Sequence, residues 1–355
     1  MSDAAVLASP VPGAARRSGA TGKLVVLGLC GLALVAALAV DLSTGPSGMP
    51  LDTLLPTLLA GPHGADRMAA TILWQLRMPE AAMATLVGAC LGLSGLQMQT
   101  ILDNPLASPF TLGFSAAAGF GAAVAILFEL SLPLPAIYAI PVAAFAMTLV
   151  AAAIVYLIAR ITGASPEVLV LAGIAVLFFF QSLQSFLQYM ASPEVLQQIV
   201  FWLFGSLQKS TWSGVLTVSV ILTLTLPFIV RDCWQLTALR LGEDNAASLG
   251  VKTWALRRRT FVLTALLTAA AVSFTGTIGF IGLIAPHAAR ALVGEDHRFA
   301  LPMSALAGAA MLAGASAFGK AVSPGGVIPV GIVTAVIGVP VLFAILVLGR
   351  KGRPA

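Results

Sequence analysis

Charge is what this sequence has least of: 9% of its 355 residues are Asp, Glu, Lys or Arg, while 59% are hydrophobic. An ordinary water-soluble domain carries about 25% charged residues. A globule this apolar would show a greasy surface to water, whereas a bilayer meets the same side chains with lipid. Cysteine is also scarce. Cys30, Cys90 and Cys233 are odd in number, far apart and form no CxxC pair, which argues against a disulfide framework or a thiolate zinc site. His63, His287 and His297 are too scattered to suggest a metal cluster. HExxH, GxSxG and paired intramembrane carboxylates are all missing, so membrane proteases and metal enzymes lack their working residues. The longest hydrophilic stretch, 231–259, is too short to fold as a nucleotide-binding domain. One string, Gly314 to Lys320, fits GxxxxGK, but Ala321 stands where Ser or Thr must hold magnesium. It also lies in an apolar run rather than after a strand, and the motif works only in a strand–loop–helix setting.

What the sequence does have is apolar runs. Residues 24–40, 81–102, 104–128, 130–159, 168–193, 210–230, 299–319 and 321–349 contain no charged residue, and neither does the longer run 260–289. A membrane helix needs roughly 20 such residues. The long run is preceded by Arg257, Arg258 and Arg259 and followed by Arg290 and Arg298. Basic residues favour the cytoplasmic side, so a segment with both ends there crosses twice or not at all, a re-entrant pair being the alternative to two spans. Two helices of about 19 residues are expected between 260 and 297, turning at Gly276 and Gly279. The reading is an all-α, polytopic protein of the bacterial inner (cytoplasmic) membrane, with ten transmembrane helices.

With both termini cytoplasmic, 15 of the 19 basic residues lie inside, and only Arg67, Arg77, Lys209 and Lys320 lie outside. Arg16 and Arg17 before an apolar stretch resemble an export signal, but removing the first helix would leave an odd number of spans. The first helix is therefore read as a retained anchor. The chain divides into a cytoplasmic tail (1–23), a transmembrane domain (24–349) containing the cytoplasmic loop 231–259, and a second tail (350–355). The net charge of +5 is spread between spans rather than over a soluble domain, which excludes nucleic acid as a partner. An ion-coupled secondary carrier is the alternative class, yet such carriers keep ionisable residues inside their helices and these spans hold almost none. His287 follows Pro286 and reads as a histidine bonded to backbone that the proline frees.

Several strings occur together and in order: Leu76-Arg77-Met78-Pro79, Leu93-Ser94-Gly95-Leu96-Gln97-Met98-Gln99, Asn104-Pro105-Leu106-Ala107-Ser108-Pro109, Trp202-Leu203-Phe204-Gly205-Ser206-Leu207, Leu241 to Gly250, Gly279 to His287, and Pro329 to Ala335. Over about residues 70–348 the chain resembles the permeases for ferric siderophores, haem and cobalamin within the ABC importers. That resemblance implies a ten-helix subunit working as a dimer, either with itself or with a sister permease. The substrate path would follow the dimer axis. Two ATP-binding cassette subunits would sit on the inner face and a periplasmic or surface substrate-binding protein on the outer face. No catalysis and no cofactor are expected of the chain itself.

The resemblance also assigns roles to residues. Gly242, Glu243, Asp244, Asn245, Ala246, Leu249 and Gly250 would form the short helix that couples to the ATPase; glycines bound it, and its two acids stand in the first turn, where the helix dipole favours them. Asn104, Pro105, Leu106, Ser165 and Pro166 would stand at the cytoplasmic gate. Pro105 keeps Asn104 out of helical conformation, so its amide can face the path or cap the next helix. Arg67, Arg77 and Lys320 would receive acidic residues of the binding protein. Lys252 and Arg257–Arg259 are expected to hold the topology and touch anionic membrane lipid. The chain departs from its relatives at Glu80, where they commonly carry Arg, at Ser316, where they carry Asp, and at Val327, where they carry Glu.

Overall fold

A computed structural model describes residues 19–45, 49, 51–64, 66–131, 133, 135–162, 165–323, 326 and 328–350, the side chains of 51 and 345–350 excepted. The tail residues Arg16, Arg17, Lys351 and Arg353, and Val327, lie outside the described residues. Among the described residues all regular structure is helical. Helix α1 spans Ala20–Ser43, and α2 is the short Leu51–Ala60. Asp66 caps α3 (Arg67–Thr71) by accepting from the backbone N–H of Met68 and Ala69.

A π-helical stretch, Ile72–Arg77, joins α3 to α4 (Met78–Ile101), making a continuous rod of 35 residues. Pro79 has no N–H to give, and the N–H of Met78 bonds back to Leu73, so the Trp74 carbonyl lacks a helical donor. The indole Nε1 of Trp212 donates to it at 2.8 Å.

Next come α5 (Phe114–Leu127), α6 (Ala139–Thr162), α7 (Pro166–Met190) and α8 (Pro193–Leu203). Both α7 and α8 start on Ser-Pro-Glu: Ser165 and Ser192 accept from the N–H of Val168 and Val195, and the proline fills the first helical position, where a missing N–H costs nothing. The chain continues through α9 (Trp212–Arg231), α10 (Cys233–Leu239), α11 (Glu243–Ser248), α12 (Thr253–Thr275), α13 (Ile281–Val293), α14 (His297–Val322) and α15 (Val330–Arg350).

Six of these rods are long and apolar enough to cross a bilayer: α1, α3–α4, α6, α7, α9 and α14. The shorter apolar helices α5, α13 and α15 and the 23-residue α12 occupy the other four of the ten expected segments. The pair within 260–297 is unequal, with 23 residues in α12 and 13 in α13. Two equal helices are ruled out by the stretch between them. Gly276 (φ 71°) and Phe280 (φ 67°) both adopt positive φ. Neighbouring loops supply this stretch with hydrogen bonds in place of a helix: the Thr277 hydroxyl donates to the Leu203 carbonyl, and the Ser206 N–H donates to Thr275 at 2.7 Å. His287 bonds the carbonyl of Leu283 at 2.9 Å, one residue beyond the carbonyl that Pro286 frees.

Helix α4 is the axle of the bundle, packed by α9, α12, α13 and α14. Three of its glycines let neighbouring backbones touch it. A Cβ on Gly88, Gly92 or Gly95 would fall 2.4 Å, 2.2 Å or 1.8 Å from the carbonyl oxygen of Gly308, Ser304 or Gly282 respectively. Small residues at such crossings are how membrane helices gain packing when lipid offers no hydrophobic drive. The Ser304 hydroxyl seals one crossing by donating to Gly92 at 2.8 Å.

Candidate functional site

Arg240, Arg257, Arg259 and Arg290 gather at one end of the bundle, and their ion pairs tie its helix ends together. Arg240 bonds Asp103 at 2.9 Å and Glu295 at 3.3 Å, linking α10 to the turn after α4 and to the loop before α14. Arg290 reaches the same Glu295 at 3.8 Å and also donates to the Gln99 side chain. Arg259 grips the buried Asp232 between α9 and α10 with both arms of its guanidinium.

Within this basic end, α11 stands out from the bundle. Gly242 turns the chain at φ 101° and Gly250 at φ 83°, a conformation that favours glycine. Asn245 donates to the Leu241 carbonyl at 2.7 Å, and the Val251 N–H closes the helix on Ala246 at 3.0 Å. Ala246 is fully buried, while Leu241 and Leu249 are 62% and 52% exposed and Asp244 is exposed. The short helix thus offers two apolar side chains and an acid to whatever covers this end.

Its inner side is anchored by one arginine. Glu243 accepts from Arg257 at 2.9 Å and from the Thr253 hydroxyl at 3.1 Å. Arg257 is 7% exposed, and its Nε donates to the Ile101 carbonyl at the end of α4 at 3.2 Å. A single guanidinium therefore joins the exposed helix to the axle. Arg257 is thereby taken away from the lipid contact expected of the Arg257–Arg259 run.

The gate candidates lie close by. Ala246 shares a buried cluster with Leu102 and Ala107, which flank the Asn104 turn, and with Leu169 in the first turn of α7. Asn104 folds its side chain onto its own turn, accepting from the Leu106 N–H at 2.9 Å, and Pro105 and Leu106 are exposed. Ser165 caps α7, with Pro166 behind it. Coupling and gate candidates thus meet at one end of the bundle.

The docking candidates occupy the opposite end. Arg67 is exposed. Arg77 is buried, lies against Gly45 and donates to the Leu42 carbonyl at the end of α1. Lys320 is buried as well, 2.9 Å from Asp41 of α1 and 3.0 Å from Glu80 of α4. Glu80 and Ser316 line one small cavity. The two departures at 80 and 316 therefore meet in space: the acid arrives from α4 rather than α14, and Lys320, one turn beyond Ser316, receives it. Asp41 belongs to this cluster too; its only signal in the sequence is that it ends the first charge-free run.

Comparison with known proteins agrees with this architecture. The FecCD transport family matches residues 33–348. The chain belongs to that family. This FecCD permease is 37% identical over 291 residues to the cobalamin import system permease protein BtuC of Halobacterium salinarum, covering 82% of this chain and 77% of that one. It is 36% identical over 339 residues to the iron(3+)-hydroxamate import system permease protein FhuB of Bacillus subtilis, covering 93% and 85%. A solved metal-chelate type ABC transporter in an inward-facing conformation matches with a TM-score of 0.81 and 32% identity, over 92% of this chain and 99% of that one. The chain is thus a multi-pass permease of an ABC importer.

Proposed function

We propose that this FecCD permease carries an iron chelate into the cytoplasm, a ferric siderophore foremost and haem or cobalamin next, as one half of a permease dimer. Relatives named for iron(3+)-hydroxamate and cobalamin import support a bulky metal-centred cargo. The basic end faces the cytoplasm, in keeping with the excess of arginine there. ATP-binding cassette subunits receive the α11 segment, with Leu241, Asp244 and Leu249 as the contact. A binding protein docks at the opposite end, where Arg67 is exposed and Arg77 and Lys320 lie beneath the end of α1.

The observation that carries this reading is the join from α11 through Arg257 to the last carbonyl of α4. ATP binding by the partners draws the two α11 segments together. The pull passes through Glu243 and Arg257 to the axle and the Asn104–Leu106 turn, opening the path beside Ser165 and Pro166. Reconstitution of the permease with its ATPase and binding protein tests the coupling. Asp244→Lys with Leu249→Asp is expected to lower chelate uptake and cargo-stimulated ATP hydrolysis about thirtyfold, the loss of one interface hot spot, with insertion unchanged. Unaltered uptake and hydrolysis in that variant would sink the assignment.

A further inference from the structure

Two neighbouring hollows at the basic end lie beside the coupling segment, and Gly250 is the one coupling residue that lines them. The first, about 240 Å³, lies between the start of α10 and the start of α12 and is lined by Arg231, Gln235, Lys252 and Arg259. The second, about 510 Å³, runs along the bundle and is lined by Tyr156 of α6, Phe228 of α9, and Arg258, Val262 and Leu263 of α12. Ala255 and Arg259 line both, so a cationic compartment adjoins an apolar one.

The charges in this pair of hollows are unbalanced. Arg259 is neutralised by Asp232. Among the described residues, Arg231, Lys252 and Arg258 have no carboxylate within ion-pair distance, and no carboxylate lines either hollow. All three cations are exposed. Arg258 is held over the Trp254 ring, 4.9 Å from its centroid, which fixes its direction without using up its charge. Trp234 and Trp254 are 58% and 42% exposed, as tryptophans are where a bilayer meets water. The apolar groove therefore begins at the headgroup level and runs toward the hydrocarbon.

We propose that this paired hollow is a binding site for one anionic phospholipid. Arg231, Lys252 and Arg258 hold its phosphate, and an acyl chain lies along Phe228 and Val262. A soluble anion would use the first compartment alone, and a neutral lipid only the second; the adjacency of the two selects an amphiphile with a negative head. The occupant also braces Gly250 and Leu256, which line the first hollow and flank the coupling helix. Site occupancy does not depend on the nature of the cargo.

The test uses the purified full-length permease, delipidated in neutral detergent and titrated with phosphatidylglycerol or phosphatidylcholine. Bound lipid is counted by native mass spectrometry. Phosphatidylglycerol is expected to be retained at least about tenfold more tightly than phosphatidylcholine. Arg231→Gln, Lys252→Gln and Arg258→Gln together are expected to abolish that preference, and Arg231→Lys alone to keep it. Val262→Trp, which fills the groove, is expected to weaken phosphatidylglycerol while leaving the cations in place. Equal retention of both lipids, or an unchanged preference in the triple variant, would overturn the site. Competition by inorganic phosphate as strong as by the lipid would overturn the lipid as its occupant. Chelate uptake by the reconstituted importer reports separately on the transport reading.

Discussion

Arg257→Ala is expected to lower chelate uptake by the reconstituted importer more than about tenfold, while ATP hydrolysis continues without responding to cargo. Arg257 bonds the α11 carboxylate on one side and the α4 carbonyl on the other, so no other side chain replaces both contacts. A hydrogen bond to a charged group contributes about 1.5–3 kcal/mol, enough for that factor. Arg257→Lys keeps the charge but loses the fork and is expected to fall between the two. Arg298 is exposed and, among the described residues, paired only with Asp296 beside it, so Arg298→Ala serves as a control with uptake preserved. Equal behaviour of the Arg257 and Arg298 variants would show that the pull reaches the axle by another route.

Gly95→Ala is expected to cost more than about 3 kcal/mol and to leave little folded protein in the membrane. Its Cβ would sit 1.8 Å from the Gly282 oxygen, and backbone atoms cannot rotate aside as a flexible side chain can. Helices α4 and α13 would have to separate, breaking the α4–α14 contacts at Gly88 and Gly92 as well. Gly31 in α1 and Gly314 in α14 have nothing within 4 Å of the same added atom. Alanine there is expected to be neutral or slightly stabilising, since alanine favours helix over glycine. Size-exclusion profiles of the detergent-extracted variants separate these outcomes.

The membrane helices were legible because charge is so rare that its gaps mark them. The arginines flanking 260–297 also announced a pair of helices there. They did not announce a short α13, because its start depends on hydrogen bonds from the Leu203–Ser206 loop, some 70 residues away in the chain. Gly242 and Gly250 marked the ends of α11, since each takes a backbone conformation that favours glycine. The join beneath it was not legible. Arg257, Arg258 and Arg259 are adjacent in sequence, yet their directions diverge around the helix, toward Glu243, Trp254 and Asp232 respectively. Asp41, Glu80 and Lys320 come from three helices, and only packing reveals that they share one buried cluster. Asn104 was readable as a turn residue, and its side chain accepts from the Leu106 N–H of that turn.

The position of α11 at the seat of the motor is tested most directly by one cysteine. With Cys30, Cys90 and Cys233 replaced, Leu249→Cys is treated with a membrane-impermeant maleimide in whole cells and in inside-out vesicles. Labelling is expected in the vesicles alone, blocked when the ATPase partner is bound. Labelling from outside whole cells would contradict it.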